Sequence, residues 1–449
     1  MTTSDYDCVV RLRQRTELLD GASMEKFRRH AARREVTGEG LYRLSAVRIE
    51  RGRIVRRGSP FHSRTSALCE SWEWRGWSGY LAASSYSLVP EMEYYAIRHS
   101  AGMLDVSPLY KYLIKGKDAL PLINKVVTRD ARKLSKGHVY YTPWCDEHGK
   151  TVDDGTLWNF GDGSFRMTSA EPNLKWLQDA GMGLDVEVVD VSEDIGALAL
   201  QGPSSRAILM DGADGAVQQL KYFRFVNTKF AGIPVQISRT GYTGDLGYEI
   251  WVERAQAEAL WDALMEHGRG HDITPAGMLA LDVARIEAGL ILAEVEYTPA
   301  RKAVIDAQRY SPFELSLDWA VALEKGPFIG RKALLDERRR GPSRRTVGLE
   351  IDWRAVERFY LEMGLPPQPP SEPWRSKVPL HSGYRQIGWA TSGCWSPLLK
   401  KYIAIATVAA PYSQVGTRME IEVAVEWERH RAPATVVERP FFEPERKKA

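Results

Sequence analysis

Apolar and polar residues along the chain follow two periods, which predicts alternating helices and strands. The segments EMEYYAIRHSAGML and KDALPLINKVV have the three-to-four spacing of helices, whereas KYLIKG is strand-like. Further strands are predicted at HVYYTPWCD, TLWNF, SFRMTS, IGALALQG, IPVQISRTG and YEIWV, and further helices at PNLKWLQDAG, PSSRAILM and AQAEALWDALMEHG. This α+β pattern repeats twice, so two related α+β lobes are expected within residues 58–340.

The pattern changes towards the C-terminus. The segments DERRRGPSRR and MGLPPQPPSEPWRS are basic, polar or proline-rich, which predicts long loops. The segments RTVGLEID, QIGWATSG, YIAIATVAA, RMEIEVAVEW and APATVVE then read as short strands with little helix between them. A C-terminal β-rich domain is predicted over residues 341–449, with a proline-rich insertion near 364–377.

Residues 1–57 form a third region, rich in arginine. The runs MEKFRRHAARREV and RIERGRIVRRG flank one short apolar segment, so an extension is predicted rather than a domain. The basic runs are interpreted either as a solvated surface or as a clamp for an acidic partner.

Composition narrows the classes of function. A chain of 449 residues with 44% hydrophobic content is long enough for two or three domains. Lysine plus arginine (61) nearly balances aspartate plus glutamate (58), so no nucleic-acid partner is expected. No apolar run approaches the roughly 20 residues of a membrane span. The four cysteines are far apart, which predicts no metal site, free thiols and a cytoplasmic protein.

The segment SRTGYTGDLGYEIWV carries the richest local chemistry. Three glycines at every third position interrupt a strand and surround Tyr242, Tyr248 and Glu249. Glycines allow a flat ligand to approach the backbone, a carboxylate accepts hydrogen bonds from adjacent ring N–H groups, and an aromatic side chain stacks on the ring. A structural hairpin with packed tyrosines explains the same residues.

Seven further segments accompany this loop in a fixed order. They are AGMLDVSPLYKYLIKGKDA, VVTRDARKL, YYTPWCDEHGKTVDDGTLW, ALALQGPSSRAIL, MLALDVARIEAGLIL, KGPFIGRKAL and IGWATSGCWSPLLKKYIAIATV. Together they resemble the glycine cleavage T-protein (aminomethyltransferase) family, from about residue 59 to 442. The resemblance implies three domains around a central opening that takes tetrahydrofolate.

The resemblance also implies roles for individual residues. Asp130 matches the family's active-site aspartate, with a helix cap as the structural alternative. Glu249 matches the glutamate that holds the pterin edge, and Tyr242 matches a tyrosine of the same pocket. Tyr248 and Trp251 flank that glutamate and are expected near the cofactor. Arg285 matches an arginine whose role is either folate binding or structural.

Three departures from the family favour another one-carbon donor than that of glycine cleavage. Leu281 stands where glycine cleavage enzymes usually carry a folate-contacting arginine, and both the N-terminal extension and the insertion WRAVERFYLEMGLPPQPPSEPW are unusual. His62, in a tryptophan-rich segment, is expected either to protonate a departing group of the donor or to be an ordinary surface histidine. The favoured function is therefore transfer of a methyl group from a small O-, N- or S-methyl donor to tetrahydrofolate.

Other functions stay open. A glycine cleavage aminomethyltransferase would make 5,10-methylenetetrahydrofolate with a lipoyl carrier protein as its partner. A non-catalytic folate-binding assembly factor would carry a lysine-glycine-cysteine signature, but Pro327 follows Lys325 and Gly326 here. A third possibility is a fused partner of a larger oxidase that captures formaldehyde on folate, with an oxidase subunit as its partner. The basic extension is the only indication of such docking.

Overall fold

The computed structural model describes residues 48–50 and 53–449. The predicted extension over residues 1–57 lies almost wholly outside the described residues. The first described elements are the hairpin β1 (Arg48–Glu50) and β2 (Arg53–Val55), helix α1 (His62–Leu68), the hairpin β3 (Trp74–Trp77) and β4 (Tyr80–Ala83), and helix α2 (Pro90–His99).

The first large sheet is antiparallel, with strand order β10-β6-β9-β8-β7. The elements of this region are β5 (Ala101–Asp105), β6 (Tyr110–Lys115), α3 (Ala119–Val126), β7 (Val139–Cys145), β8 (Thr151–Asn159), β9 (Phe165–Ser169), α4 (Leu174–Ala180) and β10 (Glu187–Asp190). Helices α3 and α4 cover one face, where Phe165 and Met167 of β9 join their apolar side chains. Because side chains alternate along a strand, Arg166 lies on the opposite face.

The second large sheet has the order β12-β13-β14-β11-β5-β15. Its further elements are β11 (Ile195–Gln201), α5 (Ser205–Gly212), β12 (Phe225–Phe230), β13 (Ile233–Ser238), β14 (Gly247–Glu253), α6 (Ala257–Gly268), β15 (Ile273–Pro275) and α7 (Met278–Glu287). Helices α5 and α6 cover one face, where Tyr248 and Ile250 of β14 are buried. Glu249 and Trp251 therefore lie on the other face of β14, turned towards the first sheet.

The C-terminal region is a closed barrel with strand order β16-β19-β18-β17-β20-β21. Its elements follow helix α8 (Arg331–Arg340) and are β16 (Arg344–Ile351), α9 (Trp353–Glu362), β17 (Val378–Ser382), β18 (Arg385–Ser396), β19 (Lys401–Ala409), β20 (Arg418–Val425) and β21 (Glu428–Val437). The interior is apolar. The predicted fold class, α+β with a C-terminal β-rich domain, is confirmed.

Three local predictions were wrong. The segment EMEYYAIRHSAGML is not one helix, because α2 ends at His99 and the following residues pair as β5 with β11 and β15. The segment DERRR continues α8 rather than forming a loop. The β-rich region also contains helix α9, which begins where the carboxylate of Asp352 accepts a hydrogen bond from the Ala355 N–H.

No helix in the described part of the chain combines the length and the apolar character that a membrane crossing requires.

Candidate functional site

The glycine-rich loop before β14 folds tightly over the side chain of Gln201. A Cβ atom at Gly241 would lie 2.0 Å from Oε1 of Gln201, and one at Gly247 would lie 2.3 Å from it. The hydroxyl of Thr243 donates to the same Oε1 at 2.8 Å, and Gln201 Nε2 donates to the Tyr248 carbonyl at 3.2 Å. Glycine is therefore required at both positions to pack the loop against the protein itself, whereas the sequence had suggested approach to a ligand.

Glu249 presents a carboxylate to the space between the two sheets. Its Oε2 accepts a hydrogen bond from the Thr240 hydroxyl at 2.9 Å. Among the described residues, no group donates a hydrogen bond to its Oε1. Burial raises the pKa of Glu249, while the Thr240 hydrogen bond and the charge of Arg166 act in the opposite direction. The side chain is nevertheless only half-buried, so one oxygen remains open to a hydrogen-bond donor.

Arg166 is buried beside Glu249, between two indole rings. Its guanidinium carbon lies 4.2 Å from the centre of the Trp158 ring and 4.3 Å from that of Trp251. Its Nη1 donates to Gln236 Oε1 at 2.7 Å, whereas its Nε and Nη2 have no partner among the described residues. The same is true of the indole Nε1 of Trp251. Desolvation lowers the pKa of Arg166 to about 9.

The carboxylate of Asp154, with two tyrosines bound to it, lies on the same face of β8 as Trp158. Asp154, four residues before Trp158 on β8 and thus about 13 Å away, accepts hydrogen bonds from the hydroxyls of Tyr297 and Tyr141. Burial raises the pKa of Asp154 and the pKa of both tyrosines. Burial also raises the pKa of Tyr242, whose charge environment includes Asp154 and whose hydroxyl donates to the Ile291 carbonyl.

Asp130 lies in the turn that follows α3. Its carboxylate accepts hydrogen bonds from Arg132 Nε at 2.8 Å and Nη2 at 2.9 Å, and from the backbone N–H of Arg132 at 3.2 Å. The last contact caps a short 3-10 helix, as the structural alternative for this residue required. Hydrogen bonding to Arg132 lowers the pKa of Asp130, so its carboxylate is ionised at neutral pH.

Two known protein families match consecutive parts of the chain. Residues 64–325 match the family described as "GCVT N-terminal domain", and residues 344–443 match "Glycine cleavage T-protein C-terminal barrel domain". The chain belongs to the glycine cleavage T-protein family. The family resemblance drawn from the ordered motifs is confirmed.

Relatives of this T-protein family member align along most of the chain. An aminomethyltransferase of Caldanaerobacter subterraneus is 32% identical over 382 residues, covering 84% of this chain and 93% of the relative. A trimethylamine-oxide aldolase of Ruegeria pomeroyi is 36% identical over 400 residues, covering 86% of this chain but 47% of the relative. The crystal structure of glycine cleavage system aminomethyltransferase T from Bartonella henselae has a TM-score of 0.74 and 25% identity, covering 87% of this chain and 99% of that chain.

Arg285 of this T-protein family member is held in a buried ionic network. Its Nη1 donates to both carboxylate oxygens of Glu296 at 3.0 Å, and its Nε lies 3.5 Å from Asp282. Asp282 also pairs with Arg75 at 3.1 Å and with Arg375 at 2.7 Å. These contacts hold Arg285 within the network, and only its Nη2 lacks a hydrogen-bond partner among the described residues. We propose a structural role for Arg285 rather than folate binding.

Two predicted site residues lie away from the space between the sheets. Tyr248 is fully buried on the helix-covered face of the second sheet, where its hydroxyl accepts a hydrogen bond from Arg206 at 3.0 Å. His62 begins α1, and its ring centre lies 5.3 Å from that of Trp74. The same turn of α1 packs on α6, because Arg64 pairs with Asp262 at 2.8 Å. By contrast, Glu249 and Trp251 share one strand face.

The sequence analysis missed Arg166, Asp154, Tyr141 and Tyr297. A charged residue inside a predicted strand was the available signal for Arg166, in SFRMTS, whereas Asp154 lies just before the predicted strand TLWNF and had no such signal. Alternation places Arg166 opposite the apolar Phe165 and Met167, but the sequence did not say that Trp158 and Trp251 cover it from two different strands. The tyrosines come from positions 156 residues apart in the chain, 141 and 297, and carried no local pattern.

Proposed function

We propose that this protein transfers a methyl group from a small O-, N- or S-methyl donor to N5 of tetrahydrofolate. Two of the relatives named above are aminomethyltransferases, and the chain is a folate-dependent one-carbon transferase. In this reaction, the bond between N5 and the methyl carbon forms as the bond from that carbon to O, N or S breaks. The electron pair of the broken bond stays on the donor's heteroatom, and N5 releases its proton.

The open oxygen of Glu249 carries the proposal that a pterin binds here. A reduced pterin has an amino group and a ring N–H side by side, and both are hydrogen-bond donors that a carboxylate accepts. Glu249 offers such a carboxylate between the sheets, with the indole of Trp251 two residues further along the same face. When bound, tetrahydrofolate would supply the nucleophilic N5 nitrogen.

The chain's own groups supply orientation and proton handling. Asp130 is ionised and fixed by Arg132, so it provides a stationary negative charge rather than a strongly basic group. Asp154, Tyr141 and Tyr297 form a hydrogen-bonded set in which burial favours the protonated forms. We propose that Asp130 orients the cofactor near its reactive nitrogens and that Tyr242 lines the same pocket. His62 as a proton donor to the leaving group stays a prediction.

Two observations bear on the choice of donor. Leu281 is buried in an apolar cluster between the sheets, where glycine cleavage enzymes usually carry an arginine. The relative named trimethylamine-oxide aldolase supports an N-methyl compound as the type of donor. The region that aligns makes up only about half of that relative, which is consistent with a second protein partner, such as an oxidase subunit or carrier protein, supplying the one-carbon unit.

A second candidate is formation of 5,10-methylenetetrahydrofolate, as the relatives named aminomethyltransferase indicate. Incubation of the purified protein with tetrahydrofolate and a panel of O-, N- and S-methyl compounds, followed by chromatography of the folates, separates the two. We expect 5-methyltetrahydrofolate with one class of donor. Methylene product made only with an aminomethylated lipoyl carrier protein would establish the second candidate instead.

A further inference from the structure

Three hydrogen-bond donors on Arg166 and Trp251, near Glu249, have no partner among the described residues. They are Nε and Nη2 of Arg166 and Nε1 of Trp251, and all three atoms are buried. Arg166 is 3% exposed and Trp251 is 2% exposed. Leaving a buried donor unpaired is costly, and most costly for a charged group. Several such donors at one place indicate that a ligand completes their hydrogen bonds.

Arg166 and Glu249 face one another without touching. Each influences the pKa of the other through charge, yet no ion pair within 4.0 Å joins them among the described residues. Gln236 holds one end of the guanidinium at 2.7 Å, and Thr240 holds one oxygen of Glu249 at 2.9 Å. Each charged group is thus held by one polar neighbour, while Nε and Nη2 of Arg166 and Oε1 of Glu249 have no hydrogen-bond partner among the described residues.

Together, Glu249 and Arg166 offer a carboxylate acceptor near a guanidinium donor. The edge of a pterin presents the complementary order: the 2-amino group and the N3–H are donors, and the adjacent carbonyl oxygen at C4 is an acceptor. Glu249 alone satisfies the two donors and leaves the carbonyl unmatched. Guanidinium is the side chain best suited to a buried oxygen acceptor, because its donors form a rigid planar fork that stays charged.

We propose that Arg166 donates to the C4 carbonyl oxygen of the pterin and thereby makes the site selective for 4-oxo over 4-amino pteridines. This inference rests on the proposed function, because it assumes that tetrahydrofolate binds beside Glu249. The two indole rings hold the guanidinium plane in place, so Arg166 is a binding and specificity residue and takes no part in proton transfer.

The test compares dissociation constants for tetrahydrofolate and its 4-amino counterpart, measured anaerobically at a mildly alkaline pH below the Arg166 pKa of about 9, where the guanidinium keeps its charge and the 4-amino ring is uncharged. The two compounds differ in whether C4 carries an acceptor or a donor. We expect the wild type to bind the 4-oxo compound about 10- to 100-fold more tightly. In Arg166→Met that ratio should fall to near one, mainly through weaker binding of the 4-oxo compound.

Arg344→Met is the matched control. Its guanidinium also stacks on an aromatic ring, 3.7 Å from the centre of Tyr310, but it belongs to β16 of the barrel. The ratio in this variant should equal that of the wild type. If Arg166→Met unfolds, Arg166→Lys is the alternative variant. It keeps an aliphatic chain beside the indole rings and a positive charge at its end, and it should give an intermediate ratio.

The outcomes separate the inference from the proposed function. Failure of the wild type to bind tetrahydrofolate would overturn both. Tight binding of tetrahydrofolate with equal affinity for the 4-amino compound would overturn the role of Arg166 alone. So would an Arg166→Met variant that keeps the wild-type ratio and instead raises the KM for the methyl donor, because the guanidinium would then bind the donor.

Discussion

Lys325, from a segment distant in the chain, donates hydrogen bonds to the turn that contains Asp130. Its Nζ donates to the carbonyl of Arg129, the preceding residue, at 2.9 Å and to that of Asn124 at 2.6 Å. It also donates to the carbonyl of Val127. In return, Arg132 Nη2 donates to the Lys325 carbonyl at 2.9 Å. One buried ammonium group therefore provides hydrogen bonds to the backbone carbonyl groups at the end of α3, and it fixes the backbone leading to Asp130.

Lys325→Met should slow turnover while leaving folate affinity nearly unchanged. The substitution removes the three hydrogen bonds and lets the Asp130 turn move, and small displacements of a positioning group cost about 10- to 100-fold in rate. Steady-state kcat and equilibrium folate binding are the measurements. Lys125→Met is the control, because the ammonium group of Lys125 on α3 donates, within the described part of the chain, only to the Ala180 carbonyl at the end of α4. A kcat equal to that of the control would contradict this role.

Asp130→Asn should keep the turn but remove its charge. Asparagine also accepts a hydrogen bond from the Arg132 N–H, so the fold and folate binding should persist. We expect kcat to fall by about 10²-fold or more if the carboxylate stabilises charge on the reacting cofactor. Single-turnover rates with saturating tetrahydrofolate measure this effect. Wild-type rates in the variant would restrict Asp130 to its capping role.

Glu249→Ala should weaken folate binding because it leaves the pterin donors unpaired. The expected loss is about 1 to 3 kcal/mol of binding free energy, measured by calorimetric titration. Tyr248→Phe is the matched control, since its hydroxyl lies on the opposite face of β14 and contacts Arg206. An equal loss of affinity in both variants would show that the strand, rather than the carboxylate, is responsible.

Arg285→Met should destabilise the fold whether or not folate is present. Removing this cation leaves Glu296 buried without its ion-pair partner, at a cost of about 3 to 5 kcal/mol in the free energy of unfolding. Urea unfolding of the variant beside Arg345→Met measures it. Arg345 pairs with Asp318 at 2.7 Å on a partly exposed surface, where about 1 kcal/mol or less is expected. Similar effects in the two variants would contradict the structural role of Arg285.

Lys111 should make stability depend on pH. Burial lowers its pKa to about 7, with a further contribution from Arg166. At pH values above 7 and up to about 10.5, the unfolded chain binds a proton there that the folded chain does not, so the free energy of unfolding rises with pH. Lys111→Met should remove this contribution, so the difference in unfolding free energy between wild type and variant should increase in favour of the wild type over that range. A difference independent of pH would show that Lys111 keeps an ordinary pKa.

Much of the fold followed from local pattern. Strand alternation around β9 and β14 and the helical spacing of α3 and α6 are set by which residues must be buried, and these signals lie within a few positions of one another. The failures were at boundaries. Nothing in EMEYYAIRHSAGML marks the switch from α2 to β5, because the four buried residues after Ser100 suit a helix or a strand equally well.

The sequence by itself determined the family and the α+β class, since these depend on residue identity and order. Its motifs also predicted Asp130, Tyr242 and Glu249 as site residues. Only the tertiary structure decided which side chains meet. Three contacts join segments that are distant in the chain. They are Arg166 with Trp158 and Trp251, Tyr297 with Asp154, and Lys325 with the turn that contains Asp130. The physical reason is that desolvation and hydrogen bonding depend on the surroundings in space, which strand alternation and motif spacing do not encode.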